Sequence, residues 1–373
     1  MLTKVEITNF KNFNDTFIFD LTQTKSFEFN KECVKNGIVN KAIIYGHNGV
    51  GKSNLGLALF DLVSHITDKK FIPEKYTNYL NADSTQNSAK FKFEFLFDGN
   101  QVVYEYSKKS SSVLLDELCT INGKVFAKIV KQDNKNIFLE TDAVGTEGLK
   151  KDMTGNNISI IKYIKSNTIL ENNNTNSTFN NFVNFIENML LFRNLDDRFY
   201  IGYEQGRHEL ANDIVEKGHL EDFESFLNDA GVSCKLSQEK IDGSFQLYFS
   251  FKEKKINFFE IASSGTTALT IFYFWYQRLK SEKKCSFLFI DEFDAFYHHS
   301  LSRLIVQRLT EVYATQVILT THNTSVISNE LLRPDCYFLM YKDRIRSLSN
   351  STVKELREAH NIEKMYRAGS FEY

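Results

Sequence analysis

Polar and apolar positions alternate with a period of two in the first part of this chain. Ala89 to Phe97 follows that alternation, which is typical of a half-exposed strand. Asp98-Gly99-Asn100 then predicts a hairpin turn into a second strand. Further short strands are predicted over 2–10, 16–21, 102–107, 113–120, 125–130 and 137–140. The pattern therefore predicts an antiparallel sheet.

The last part of the chain shows another order, in which helices and apolar strands alternate. Helices are predicted over 264–280 and 299–314, and strands over 286–291 and 316–321, an order typical of parallel βαβ units. The intervening residues 160–230 are predicted to be mainly helical. One apolar helical face there combines Phe179, Phe182, Phe185, Ile186 and Met189. These features indicate an α/β protein.

One segment has a sequence that is specific for phosphate binding. It reads Gly46-His47-Asn48-Gly49-Val50-Gly51-Lys52-Ser53-Asn54, and its first eight residues fill every fixed position of G-x-x-x-x-G-K-[ST]. A strand-like run precedes it and a helix-like run follows. Loop N–H groups and the helix start can surround phosphate oxygens, Lys52 can reach the outer phosphates, and Ser53 can ligate Mg²⁺. The segment therefore predicts a nucleotide site.

Polar side chains follow two of the later strands. Asp291 comes directly after an apolar run and is a candidate ligand of Mg²⁺. Glu292 is predicted to point to the other side of that strand, where it could act as a general base. His322 follows the strand 316–321 and could bind the γ-phosphate, although a lone histidine is more often structural.

Ser263, Ser264 and Gly265 precede the predicted helix 264–280. Serine and glycine at a helix start can bind an anion, or serine can simply cap the helix. Taken alone, capping is the more common role.

The order of these segments resembles the ABC-type ATPases, in the branch related to SMC and DNA-repair ATPases. The resemblance implies an ABC-type P-loop ATPase fold with a mixed sheet core, an antiparallel β subdomain and a helical insertion. It implies that ATP and Mg²⁺ are bound, and that the catalytic residues are Lys52, Glu292 and His322. Ser263-Ser264-Gly265 would be a divergent signature that reaches the nucleotide of the other subunit in a head-to-tail dimer.

Two shorter segments extend the resemblance. Phe293-Asp294-Ala295 resembles the loop that contacts the partner subunit, and residues 7–13 resemble an N-terminal motif whose basic residue, Lys11 here, lies near the nucleotide. The implied boundaries are 1–159 for the N-terminal half of the ATPase domain, 160–235 for the insertion and 236–373 for the C-terminal half. Gln132 lies where a Q-loop glutamine is expected, but its context does not identify it.

The compact form, without a long coiled-coil arm, and the tail 355–371 resemble stand-alone bacterial ATPases of phage-defence operons. These include the AriA (PARIS), RloA and AbiL ATPase subunits and the ATPase part of OLD-family proteins. The resemblance implies a dimer or higher oligomer, a separate effector and a phage-encoded trigger. Because the chain ends at Tyr373, we expect a TOPRIM-type or other nuclease to act in trans.

Composition narrows the remaining alternatives. The net charge of −2 argues against a chain that binds nucleic acid over its whole surface, although a local basic face for DNA stays open. Five cysteines without C-x-x-C spacing predict reduced thiols in a cytoplasmic protein, and no apolar stretch is long enough for a membrane span. Three functions remain: an ATPase that controls an effector in anti-phage defence, a DNA-repair or DNA-binding clamp, and a nucleotide-gated scaffold with little turnover.

Overall fold

The computed structural model describes residues 1–67, 69, 73–131, 136–192, 200–202, 210–282, 284–295 and 299–371. Gln132, the Q-loop candidate, lies outside these ranges. In chain order, the strands are β1 (Leu2–Thr8), β2 (Phe17–Asp20), β3 (Val34–Lys35), β4 (Ile38–Val39), β5 (Lys41–Tyr45), β6 (Ala89–Phe97), β7 (Asn100–Ser110), β8 (Val113–Ile121), β9 (Lys124–Lys131), β10 (Ile137–Thr141), β11 (Met189–Phe192), β12 (Tyr200–Gly202), β13 (Leu236–Ile241), β14 (Ser244–Ser250), β15 (Lys255–Asn257), β16 (Phe287–Ile290), β17 (Gln316–Thr321), β18 (Tyr337–Met340) and β19 (Ile345–Ser347). The helices are α1 (Lys52–Ile66), α2 (Ile160–Asn167), α3 (Asn174–Glu187), α4 (Leu210–Glu216), α5 (Leu220–Asp229), α6 (Phe258–Ile261), α7 (Ser264–Glu282), α8 (His299–Thr310) and α9 (Ile362–Arg367).

The alternating segments form the predicted antiparallel sheet. Its strand order is β10-β9-β8-β7-β6-β1-β2, and each neighbouring pair is antiparallel. Phe91, Phe93 and Phe95 of β6 are buried, while the residues between them are more exposed. The period-two pattern therefore identifies the inner face of this sheet correctly.

A second sheet forms the core that carries the phosphate loop. Its order is β12-β11-β16-β17-β5-β18-β19; the inner strands run parallel and the two edge strands run antiparallel. Strands β5, β16 and β17 are buried along their whole length, as expected for a parallel sheet covered on both faces. The mixed sheet core is therefore present as predicted.

Helix α1 lies between the two sheets and contacts both. On one side, a Cβ added to Gly56 would lie 2.7 Å from Cε1 of Phe289 in β16, so only glycine allows this close approach. On the other side, Asp61 is hydrogen-bonded to Tyr106 and Lys108 of β7. Any shift of α1, which begins in the phosphate loop, is therefore resisted from both sides.

Part of the region predicted to be mainly helical forms two strands instead, β11 and β12. Helices α2 to α5 lie there, but α3 ends at Glu187 and Met189, predicted on its apolar face, begins β11 instead. Strand β11 pairs in parallel with β16, so this region also contributes to the core sheet. The boundaries at 159/160 and 235/236 remain predictions.

All five cysteines are free thiols, as predicted; they are Cys33, Cys119, Cys234, Cys285 and Cys336. Within the described ranges, no helix has both the length and the apolar character needed to cross a membrane.

Candidate nucleotide site

The phosphate loop connects the end of β5 to the start of α1, as the motif predicts. Gly49 and Gly51 have φ values of +82° and +108°, which glycine adopts most easily. A Cβ added at Gly49 would meet no atom within 4 Å, whereas one at Gly51 would lie 2.4 Å from Nδ2 of Asn12. His47 and Asn48 are exposed as well. The loop is therefore open on one face and closed against the N-terminal segment on another.

Lys52 is buried inside this loop. Its Nζ donates hydrogen bonds to the carbonyl oxygens of Gly46 at 2.6 Å and His47 at 3.1 Å. Burial lowers the pKa of Lys52, and the nearby charges of Asp291, Glu292 and Asp294 oppose that shift. A cation held within an open glycine-rich loop fits a phosphate group.

Asp291 lies at the end of β16, next to the loop. Its buried carboxylate accepts a hydrogen bond from the hydroxyl of Thr320 at 2.5 Å and interacts with the side chain of Ser53. Burial raises the pKa of Asp291, and these two interactions oppose the rise. The structure thus brings together Ser53 and Asp291, the two predicted ligands of Mg²⁺. Among the described residues, no three His, Cys, Asp or Glu side chains converge as a metal site.

Glu292 does not lie on the opposite face of a strand, and that prediction is wrong. Strand β16 ends at Ile290, and Glu292 stands in the following turn with φ of +44°. Its N–H donates to Oγ1 of Thr320 at 2.9 Å. A positive φ is uncommon for a residue other than glycine and is often found at functional sites.

His322 follows β17 at the same edge of the core sheet and is exposed. Asp294 lies nearby and is buried; both of its carboxylate oxygens are 2.8 Å from Oγ1 of Thr321. Burial raises the pKa of Asp294. Of the predicted partner loop, Phe293 and Asp294 are buried within the chain and Ala295 is exposed.

Residues 7–13 reach the phosphate loop through a residue that the sequence did not single out. Asn12 donates from Nδ2 to the carbonyl of Val50 at 3.2 Å, and its Oδ1 accepts from Nδ2 of Asn54 at 2.7 Å. The Nζ of Lys11 instead donates to the carbonyl of Asn78 at 3.4 Å. The close contact between Asn12 and Gly51 depends on tertiary structure. In the sequence, only one signal points to Asn12, its position next to the motif residue Lys11.

The serine–glycine segment lies at the start of α7. The Oγ of Ser263 accepts a hydrogen bond from the N–H of Thr266 at 3.2 Å, so Ser263 does cap the helix. Ser263 and Ser264 are exposed and Gly265 is half-buried. The described contacts do not join this segment to the phosphate loop of the same chain.

The C-terminal helix α9 borders the site, which the sequence did not indicate. The ring of Tyr366 lies 5.1 Å from the ring of Tyr45, the residue before the phosphate loop. Thr324, two residues after His322, donates to Glu363 at 3.1 Å and accepts from Arg367 at 3.1 Å. The tail is therefore packed against two of the segments that form the site.

Comparison with known proteins gives one sequence family that covers most of this chain. The sequence family described as "AAA domain, putative AbiEii toxin, Type IV TA system" matches residues 41–328, from β5 to beyond His322. No curated protein sequence matches the chain. Together with the two sheets, the family match confirms the predicted fold class.

Several solved SMC head domains are similar to this chain. A head bound to the C-terminal winged-helix domain of ScpA has 14% identity, covers 94% of this chain and 98% of its own, and gives a TM-score of 0.48. The head from Thermotoga maritima has 14% identity, coverages of 93% and 98%, and a TM-score of 0.43. A Pyrococcus furiosus head with an extended coiled coil and a ScpA domain has 13% identity, coverages of 94% and 97%, and a TM-score of 0.44. At this low sequence identity, the SMC heads do not identify substrates or partners of this chain.

Proposed function

Because this chain belongs to the family described as "AAA domain, putative AbiEii toxin, Type IV TA system", we propose that it binds and hydrolyses ATP with Mg²⁺. The contact between Ser53 and Asp291, beside the ammonium of Lys52, carries this proposal. Three groups of the type that phosphates and Mg²⁺ require lie together beside one glycine-rich loop. We further propose that hydrolysis occurs in a dimer and controls a separate effector in anti-phage defence.

Each residue then has a distinct part in the reaction. Lys52 would neutralise the outer phosphates, while Ser53 and Asp291 would hold Mg²⁺, which neutralises charge that develops on the transferred phosphoryl group. Glu292, half-buried at the same sheet edge, would accept a proton from the attacking water. His322 would hydrogen-bond the γ-phosphate from the neighbouring strand end.

Glu292→Gln tests the catalytic assignment. The amide cannot accept the proton, so we expect turnover to fall by about 10²- to 10⁴-fold while ATP affinity is retained. Phosphate release and calorimetric ATP binding are the measurements. Glu140→Gln, at an exposed glutamate of β10, is the matched control and should leave turnover unchanged. Equal turnover in wild type and Glu292→Gln would remove Glu292 from this role, and negligible turnover in both would favour a nucleotide-gated scaffold.

The exposed position of Ser263 and Ser264 supports their proposed action on the nucleotide of a second subunit. Gly265→Trp should block close approach of the partner, so ATP binding should survive while hydrolysis falls. In a head-to-tail dimer with Lys52→Ala, both lesions fall in one composite site and the other site is intact. Mixing the two inactive variants should therefore restore part of the hydrolysis. Verified heterodimers without any ATP hydrolysis would contradict the action of Ser263 and Ser264 on the partner's nucleotide, or would show that the two sites cannot hydrolyse ATP independently.

The defence role is supported by the resemblance to phage-defence ATPases and by the toxin–antitoxin system named in the family description. A plating assay tests it in cells that carry this gene and its operon neighbour. Wild type should reduce the efficiency of plating of a sensitive phage, and Lys52→Ala should not. Equal plating for both, over a panel of phages, would count against the defence role but leave the ATPase proposal intact.

A further inference from the structure

Two adjacent threonines at the end of β17, Thr320 and Thr321, form hydrogen bonds to the acidic turn, residues 291–294. Thr321 also forms a hydrogen bond to the segment that carries His322. We propose that Thr320 is a positioning residue, which sets the places of Asp291 and Glu292 through one hydroxyl group. Thr321 extends this hydrogen-bonded support of the turn to Asp294. The inference rests on the proposed ATPase function, and no sequence motif identifies either threonine.

Thr320 makes contacts to three consecutive residues of the turn. Its Oγ1 donates to Oδ1 of Asp291 at 2.5 Å and accepts from the N–H of Glu292 at 2.9 Å. Its carbonyl oxygen accepts from the N–H of Phe293 at 3.1 Å. Thr320 is fully buried, so water does not compete for these bonds.

The turn requires such support because it extends beyond the strand pairing. The register between β16 and β17 ends with Ile290 opposite Leu319, so this ladder does not include Asp291 or Glu292. On the other side, the N–H of Asp291 still donates to the carbonyl of Phe192 in β11 at 2.9 Å, whereas Glu292 has no strand partner of that kind among the described bonds. Glu292 also has φ of +44°, a conformation that a residue other than glycine keeps only when its surroundings hold it there. The Thr320 hydroxyl takes the place of the missing ladder bond.

Thr321 forms corresponding hydrogen bonds next to His322. Its Oγ1 donates to the carboxylate of Asp294 and accepts from the N–H of Asn323 at 2.9 Å. The side chain of Asn323 also hydrogen-bonds Asp294. The residues on both sides of His322 are therefore tied to the acidic turn, and the placement of His322 is linked to that of Glu292.

Thr320→Val tests the inference, because valine keeps the shape of threonine and removes only the hydroxyl chemistry. We expect kcat to fall by about 10- to 100-fold, the usual effect of removing a group that orients a metal ligand. The KM for ATP should change much less, since the phosphate loop is untouched. Thr320→Ser retains the hydroxyl and should recover most of the activity.

Thr315→Val is the matched control. Thr315 is also fully buried, and its Oγ1 donates to the carbonyl of Cys285 at 2.8 Å, before the opposite end of β17. Both valine variants lose a buried hydroxyl, so thermal denaturation should show comparable stability losses. Only Thr320→Val should lose kcat.

A Mg²⁺ titration of ATP binding gives a second, independent measurement. Thr320→Val should need about tenfold more Mg²⁺ than wild type or Thr315→Val, because Asp291 loses its orienting donor. Unchanged kcat together with an unchanged Mg²⁺ requirement would overturn the inference. A wild type that binds ATP without hydrolysing it would refute the hydrolysis proposal, and the Mg²⁺ titration would still decide the role of Thr320.

Discussion

Replacing Lys108 by methionine should destabilise this protein strongly. Lys108 of β7 donates from Nζ to Oδ2 of Asp61 in α1 at 2.7 Å, and both side chains are almost fully buried. The hydroxyls of Tyr106 and Tyr79 also donate to the Asp61 carboxylate, at 2.9 Å and 3.1 Å. Methionine fills a similar volume but leaves the carboxylate without its counter-charge.

The expected loss of folding stability depends on the groups that remain around Asp61. Removing one partner of a buried ion pair typically costs about 3–5 kcal/mol. The two tyrosine hydroxyls stay in place and continue to solvate the carboxylate, so we expect a loss near the lower end, about 3 kcal/mol. That is a large share of the ~5–15 kcal/mol by which a typical protein is stable.

Urea denaturation, followed by circular dichroism, measures this loss. Lys128→Met is the control, because Lys128 pairs with Glu140 at 3.2 Å on the surface, where such a pair is worth about 0–1 kcal/mol. The double variant Asp61→Asn, Lys108→Met leaves no charge at this ion pair and should be more stable than Lys108→Met alone. A Lys108→Met protein no less stable than Lys128→Met would refute the reasoning.

The remaining predictions concern the phosphate loop. Lys52→Ala should abolish measurable ATP binding in calorimetry, since it removes the ammonium inside the loop; unchanged affinity would remove Lys52 from the site. Gly51→Ala should also weaken ATP binding, because its φ is +108° and the new Cβ would lie 2.4 Å from Asn12. Gly99→Ala is the control, with φ of +81° and no atom within 4 Å, and should leave ATP binding as in wild type.

The sequence correctly predicts those strands and loops whose residue pattern depends only on neighbouring residues. The bounds of β6 agree with the alternation over 89–97, and those of β17 agree with the apolar run over 316–321. The phosphate loop also occurs in its predicted strand–loop–helix context, because glycine spacing and a following apolar helix are local properties.

The features that were missed depend on contacts between distant segments. Strand β11 is a four-residue apolar run that continues the apolar face of α3, so its pattern alone does not separate it from the helix. The early end of β16 follows from the positive φ of Glu292, which no periodicity shows. Asn12 and Thr320 are polar residues in ordinary positions, and only the packed structure brings them to the site.

The strand order of the core sheet also bears on how the chain folds during synthesis. Strand β17 lies between β16 and β5, and the side chain of Gln316 at its start donates to the carbonyls of Leu2 and Val39 and accepts from the N–H of Leu2. A ribosome therefore completes the phosphate loop long before it supplies the strand that flanks it. Hairpins such as β6–β7 and β7–β8 need only local contacts and can form early. We expect the nascent chain to hold an ordered antiparallel sheet beside an unfinished core, so that ATP cannot assist folding until β17 has emerged.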